Sequence, residues 1–204
     1  VLAWPAPEEG PSLAREIVAE HLPGTQREIP IRMPLLPASF PADDVYDKAA
    51  IEIGAALDAG EDVAVICEGD PFFYGSFMYL YGRLAEDYTV EVIPGVSSLT
   101  ACAAALGSPL SAKNDVLTVI PGPLDADTMK QRLIDADAVA IIKVGRHFDK
   151  IRTLIDDLGL TANARYIERA TMGEQRIMAI GDVGEDNAPY FSMILVHKRD
   201  EVWK

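Results

Sequence analysis

Apolar residues recur along this chain at two spacings, and the alternation between them predicts its elements. Val1–Trp4 reads as a short buried strand ended by Pro5 and Pro7. Ser12 is placed to cap a helix reaching about Leu22, with Leu13, Ile17, Val18 and Leu22 at helical spacing and Pro23-Gly24 closing it. Glu28–Met33 alternates as a strand does, and Pro34, Pro37 and Pro41 then mark a loop. The next helix spans about Asp43 to Ala59, with Val45, Ala49, Ile53, Ala56 and Leu57 on one face and Gly60 as its terminator.

Val63–Cys67 is a continuous apolar run of the kind that a parallel sheet buries on both faces. A helix from about Ser76 to Ala85, a strand over Thr89–Ile93, the loop PGVSS and a helix from about Ser97 to Leu106 follow. Strands alternating with helices make this half an open α/β sheet. The pattern restarts after Gly107-Ser108-Pro109, with a strand at Val116–Ile120, a helix at Asp125–Ala136, a buried strand at Val139–Val144 and a helix at Arg146–Leu158. Ala164–Ala170, Gln175–Ile180 and Tyr190–His197 read as an antiparallel meander, the first two strands joined by a tight turn at Met172–Glu174. These patterns divide the chain into an α/β domain over 1–112 and a second α/β domain with an antiparallel end over 113–204.

Composition narrows the function. Acidic residues outnumber basic ones by 32 to 18, a formal net charge of −14 that repels nucleic acid and anionic membrane. Cys67 and Cys102 both lie in apolar runs and read as reduced core thiols, and His21, His147 and His197 have no metal-ligand spacing. No apolar run reaches the length of a membrane span, and no signal peptide is visible; the expected location is cytoplasmic.

Two loops carry candidate chemistry. Residues 68–76 read EGDPFFYGS, directly behind the run at 63–67, and residues 94–98 read PGVSS behind the strand at 89–93. In open α/β sheets, ligands bind outside the carboxyl ends of strands, and both loops fall there. Glycine lets backbone approach a ligand, and a pair of serines at a helix start can bond a polar group. Neither loop is a phosphate cradle, and no nucleophile elbow or Ser/His/Asp set occurs.

GDPFFYG behind a buried strand, followed by VIPGVSSLTACAAALG, resembles the tetrapyrrole methylases. EGDPFFYGSFMYLYGRL, DVLTVIPGPL and YFSMILVHK extend the similarity over essentially the whole chain, and they point to the branch acting on the C20 meso carbon of precorrin-2. The resemblance implies a two-domain methylase fold, mostly parallel in the N-terminal sheet and mixed in the C-terminal one, with S-adenosylmethionine in the cleft between domains. It implies that Glu68, Gly69, Asp70, Phe73, Ser97, Ser98, Val144 and Ala170 contact the cofactor, and that the working form is a homodimer. The family opens with a strand and a loop of the form G-x-G-P-G-D-P. Nothing here matches it, Val1–Trp4 resembles the family's second strand, and the natural start is expected to lie upstream.

Methyl transfer from a sulfonium demands positioning and a dry site more than covalent help from the protein. Asp70 is expected to anchor its turn by accepting backbone hydrogen bonds, and Phe72, Phe73 and Tyr74 offer apolar walls whose faces attract a cation. A polycarboxylate substrate needs local positive charge in an acidic protein. Arg83, Lys113, Lys143, Arg146, Arg169 and Arg176 are the candidates, with Tyr74 and Tyr79 placed to touch substrate. No side chain is singled out as general base. The competing readings are the same methylation on cobalt-factor II, and a cofactor-binding fragment that docks a partner enzyme without catalysis.

Overall fold

The computed structural model describes residues 1–34, 43–184 and 188–199; the loop expected at Pro37 and Pro41 lies outside them. The chain forms two compact units, Val1–Ser97 and Ser98–Lys204. They part ahead of the 112/113 boundary drawn from the sequence, because the helix at 98–106 groups with the C-terminal unit.

In the N-terminal unit, strands β1 (Leu2–Pro7), β2 (Glu28–Met33) and β3 (Ala64–Val65) form a parallel sheet in the order β2-β1-β3. β1 continues through Pro5 and ends at Pro7, as expected of the second proline only. Val1 and Ala3 turn their carbonyls to β3, accepting from Ala64 and Ile66 at 2.9 Å, so the odd positions of β1 face that side. Pro5 and Pro7 share this parity, and their missing N–H groups fall where β3 has already ended. Ser12 caps helix α1 (Leu13–Val18), its hydroxyl accepting from the Arg15 amide at 3.3 Å, and a turn of 3₁₀ helix at Ala19–His21 follows. Glu28 ties α1 to the sheet: its carboxylate accepts from Arg15 at 2.7 and 2.8 Å, from Trp4 at 3.0 Å and from Gln26 at 2.6 Å. These bonds, led by that from Arg15, hold Glu28 well below the usual carboxylate range, at about 2.

Helix α2 (Asp43–Asp58) buries Tyr46, Ala49 and Ile53 against Ala3, Ile29 and Ile31 of the sheet and Leu80 and Leu84 of helix α3 (Phe77–Leu84). It stops at Gly60, whose φ of 81° suits only a residue without Cβ; the Gly60 amide donates to Leu57 and that of Glu61 to Ala56. Two strand expectations need correction here. The run at 63–67 pairs only at Ala64–Val65 and is half-exposed, not buried on both faces. Thr89–Ile93 keeps its alternation of exposed and half-buried residues but joins no ladder among the described residues. Alternation reports side-chain exposure, whereas a strand also needs a hydrogen-bonding neighbour, and β3 has none on its outer edge among the described residues.

The C-terminal unit begins with helix α4 (Ser98–Leu106) and carries a mixed five-stranded sheet, β4 (Leu117–Pro121), β5 (Ala138–Ile142), β6 (Ala164–Glu168), β7 (Arg176–Met178) and β8 (Ser192–His197), in the order β4-β5-β8-β6-β7. The expected meander is corrected: β8 returns between β5 and β6. Its six residues are all buried, as a central strand requires, whereas Arg176 and Ile177 of β7 are exposed, as at an edge. The β6–β7 connection is longer than one tight turn, since Glu168 pairs with Arg176 and the loop occupies 169–175. The turn expected at Met172–Glu174 is present within it, closed by the Gln175 amide donating to the Met172 carbonyl at 3.1 Å. Helices α5 (Ala126–Asp135), capped by Asp125, and α6 (Phe148–Asp157) pack Met129, Leu133, Phe148, Ile151 and Ile155 onto the sheet.

Candidate functional site

The two loops singled out from the sequence are locked together. Asp70 accepts from the Phe72 amide at 3.0 Å and from the Gly95 amide at 2.9 Å, so one carboxylate closes its own turn and holds the other loop. Those bonds, the Gly95 one foremost, lower its pKa. The anchoring role expected of Asp70 is therefore present. Gly95 lies so close to Gly69 that a Cβ at 95 would collide with the Gly69 carbonyl oxygen. Gly69, Gly95 and Ser98 are exposed, Ser97 is half-buried, and the Val96 side chain between Gly95 and Ser97 is exposed as well.

Glu68 is half-buried and accepts from the Ala14 amide at 3.1 Å, tying the loop to the start of α1. Phe73 is half-buried and meets Tyr74 edge-on at 5.1 Å, while Tyr74 is exposed and left-handed, with φ 56°. Phe72 packs edge-on against Tyr81 at 5.1 Å and beside Phe77 at 6.0 Å, so it belongs to the flank of α3. Beneath the loop a cavity of about 10 Å³, room for one water, is lined by Cys67, Ser76, Tyr46 and Ile66 among others; it is too small for any cofactor. Burial first, then Glu68 and Asp70, pushes the Cys67 thiol up, and burial takes Cys102 to about 11, so neither is a ready nucleophile.

The C-terminal unit brings several turns to one sheet edge. β4, β5 and β6 all end where β8 begins, as their pairings require. The Gly122 amide donates to Ile142, Lys150 donates its ammonium to the Gly122 and Leu124 carbonyls, Gly145 lies against the Tyr190 backbone, and the Arg169 amide donates to Phe191 at 2.7 Å. Lys143, Arg169 and Thr171 hold left-handed backbone at φ 56°, 47° and 67°, conformations costly for such residues and concentrated at functional sites. Ala170 is half-buried inside this kink. Val144 is fully buried in the core, so only its backbone lies at the edge.

The cationic candidates separate clearly. Arg83 is a tie between helices: it bonds Asp47 at 2.6 Å, Asp43 at 2.8 Å and the Tyr79 carbonyl at 2.9 Å, and lies over the Tyr46 ring. Arg146 is exposed, with its Nε 3.5 Å from His147. Lys113 is left-handed, with φ 54°, on the connection before β4. Arg169 and Arg176 share one buried partner, Glu168. Glu168, Lys150 and the exposed pair Tyr190 and Phe191 were not picked out from the sequence. The rings offered one signal, two aromatics standing directly before a fully buried strand.

A parallel α/β unit with two interlocked loops is followed in the chain by a mixed-sheet α/β unit. Residues 7–185 match the Tetrapyrrole (Corrin/Porphyrin) Methylases, and the chain belongs to that family. It is 44% identical over 153 residues to the precorrin-2 C(20)-methyltransferase of Sinorhizobium sp, covering 75% of this chain and 62% of that protein. It is 37% identical over 204 residues to the cobalamin biosynthesis protein CobIJ of Mycobacterium tuberculosis, covering 96% of this chain but only 40% of the relative's length. The cobalt-precorrin-2 C(20)-methyltransferase of Salmonella typhimurium is 32% identical over 195 residues, with 94% and 82% covered. Two solved structures share the fold. Cobalt precorrin-4 methyltransferase CbiF has a TM-score of 0.66 at 18% identity, covering 96% of this chain and 83% of that one. The uroporphyrin-III C-methyl transferase of Thermus thermophilus, complexed with S-adenyl homocysteine, has a TM-score of 0.64 at 16% identity, with 97% and 84% covered.

Proposed function

We propose that the chain carries S-adenosylmethionine-dependent methylation of the C20 meso carbon of precorrin-2, giving precorrin-3A, in cobalamin biosynthesis. The observation that carries this reading is the 44% identity to a precorrin-2 C(20)-methyltransferase. The same methylation on a cobalt-containing substrate is the second reading, and the Salmonella relative supports it at 32% identity.

The residues present suit the cofactor: Gly69 and Gly95 are exposed in loops held together by Asp70, and two serines follow Gly95 in the chain. When bound, S-adenosylmethionine supplies a methyl group activated on a sulfonium sulfur. Gly69, Ser97 and Ser98 would hold it, and Asp70 would act by fixing both loops rather than by direct contact. Glu68 would set the loop against α1, and Phe73 would cover the site with an apolar ring. Val144 and Ala170 would contribute backbone and a small side chain from the C-terminal unit. The protein's work is then orientation and exclusion of water, with orientation alone able to supply about 7–11 kcal/mol of the barrier. A cytoplasmic homodimer is part of the proposal, checked by sedimentation at micromolar concentration.

The test is incubation with S-adenosylmethionine and either precorrin-2 or its cobalt complex, read by mass spectrometry. One added methyl on the metal-free substrate is expected. Transfer only to the cobalt complex selects the second reading, and transfer to neither contradicts both.

A further inference from the structure

We propose that Glu168 is the positioning residue of a two-arginine carboxylate clamp, formed by Arg169 and Arg176, that binds the acidic side chains of a tetrapyrrole; this rests on the function proposed above. Glu168 ends β6 with its side chain only 3% exposed, a costly place for a carboxylate unless every lone pair has a use. One oxygen accepts from the Tyr166 hydroxyl at 2.7 Å. The other lies 3.4 Å from Arg176 Nη1 and 3.7 Å from Arg169 Nη1. A single oxygen thus holds two guanidinium groups side by side, where without it they would repel.

Both arginines keep donors to spare. Each guanidinium carries five N–H donors, and the two contacts to Glu168 are long for charge-assisted bonds. Their side chains are 41% and 65% exposed, whereas Glu168 is buried, so both cations are open to solvent. Arg15 and Arg83 differ, since each meets carboxylate at 2.8 Å or less. The backbone is bent to build the arrangement. Arg169 is left-handed yet swings its side chain back to Glu168, and Thr171, also left-handed, is pinned by the Gln175 side chain at 2.7 Å. Register places Arg176 directly across from Glu168 on the edge strand. Two cations against one buried anion leave this trio one charge positive on a protein of charge −14, with Glu174 the acidic residue of the connecting loop. The chemistry that such a trio recognises is a carboxylate seated in two forks. Tyr190 and Phe191, exposed on the same sheet edge, add apolar surface suited to a conjugated ring.

The experiment uses uroporphyrin, a stable octacarboxylate, in fluorescence titrations, with S-adenosylhomocysteine binding measured calorimetrically on the same preparations. Arg176→Gln is expected to weaken uroporphyrin binding at least about tenfold, Arg169→Gln/Arg176→Gln more, and Arg176→Lys nearly as much as Arg176→Gln because the fork is lost. Glu168→Gln is expected to weaken it at least about tenfold with both arginines intact, while S-adenosylhomocysteine affinity stays within about twofold in every variant. Wild-type affinity for uroporphyrin in the double variant would overturn the clamp, as would a parallel loss of both ligands in Glu168→Gln. Failure of the wild type to bind uroporphyrin would overturn it too. If uroporphyrin binding follows the arginines but S-adenosylhomocysteine never binds, the clamp stands and the methyltransferase reading falls.

Discussion

At the scale of single residues, two carboxylates do unlike work. Asp70 holds two loops by their amides, so Asp70→Asn turns one acceptor into a donor and leaves either Phe72 or Gly95 without a partner. S-adenosylhomocysteine affinity should fall at least about tenfold while the far-ultraviolet dichroism is unchanged; equal affinity would remove Asp70 from the loop lock. Glu28 joins β1, β2 and α1, and its pKa lies at about 2 in the folded chain. A folded-state value below the unfolded one stabilises fully above the ordinary carboxylate range, and that contribution is lost as pH falls toward 2. Glu28→Gln should therefore lower the melting temperature at pH 7 by several degrees, and the difference should shrink steadily as the pH is lowered from 5 toward 2. A difference independent of pH would show that its charge is not what matters.

At the scale of elements, helix ends and central strands set the prediction. Gly60→Ala forces a left-handed alanine into the α2 terminus and should cost about 1–2 kcal/mol, a fall of about 2–8 °C in melting temperature. Ile194 sits fully buried in β8, so Ile194→Ala should cost about 2–5 kcal/mol in urea unfolding. An exposed Ile177→Ala on β7 should cost far less, and equal costs would contradict the central placement of β8. Helices were legible in the sequence because caps are local: Ser12, Asp125 and Gly60 each act within a few residues. Strand neighbours were not, because pairing is decided by residues far away in the chain. Val63–Cys67 and Thr89–Ile93 have strand-like composition without full ladders, and the place of β8 shows only in its unbroken burial.

At the scale of the whole molecule, charge and family act together. A net charge of −14 predicts no retention of RNA in gel-shift assays at about 0.15 M salt; a shifted band would contradict the repulsion read from that charge. The candidate site was partly legible too. Asp70 and the two glycine loops could be read because small and acidic residues cluster behind apolar or alternating runs, whereas Glu168 could not, since its role depends on Arg176 across a register that only the fold sets. The most direct test of the central claim is calorimetric titration of the chain with S-adenosylhomocysteine, beside Gly95→Ala and Ser97→Ala/Ser98→Ala. Saturable one-to-one binding by the wild type is expected, weakened at least about tenfold in each variant. No binding by the wild type, or undiminished binding by Gly95→Ala, would contradict it.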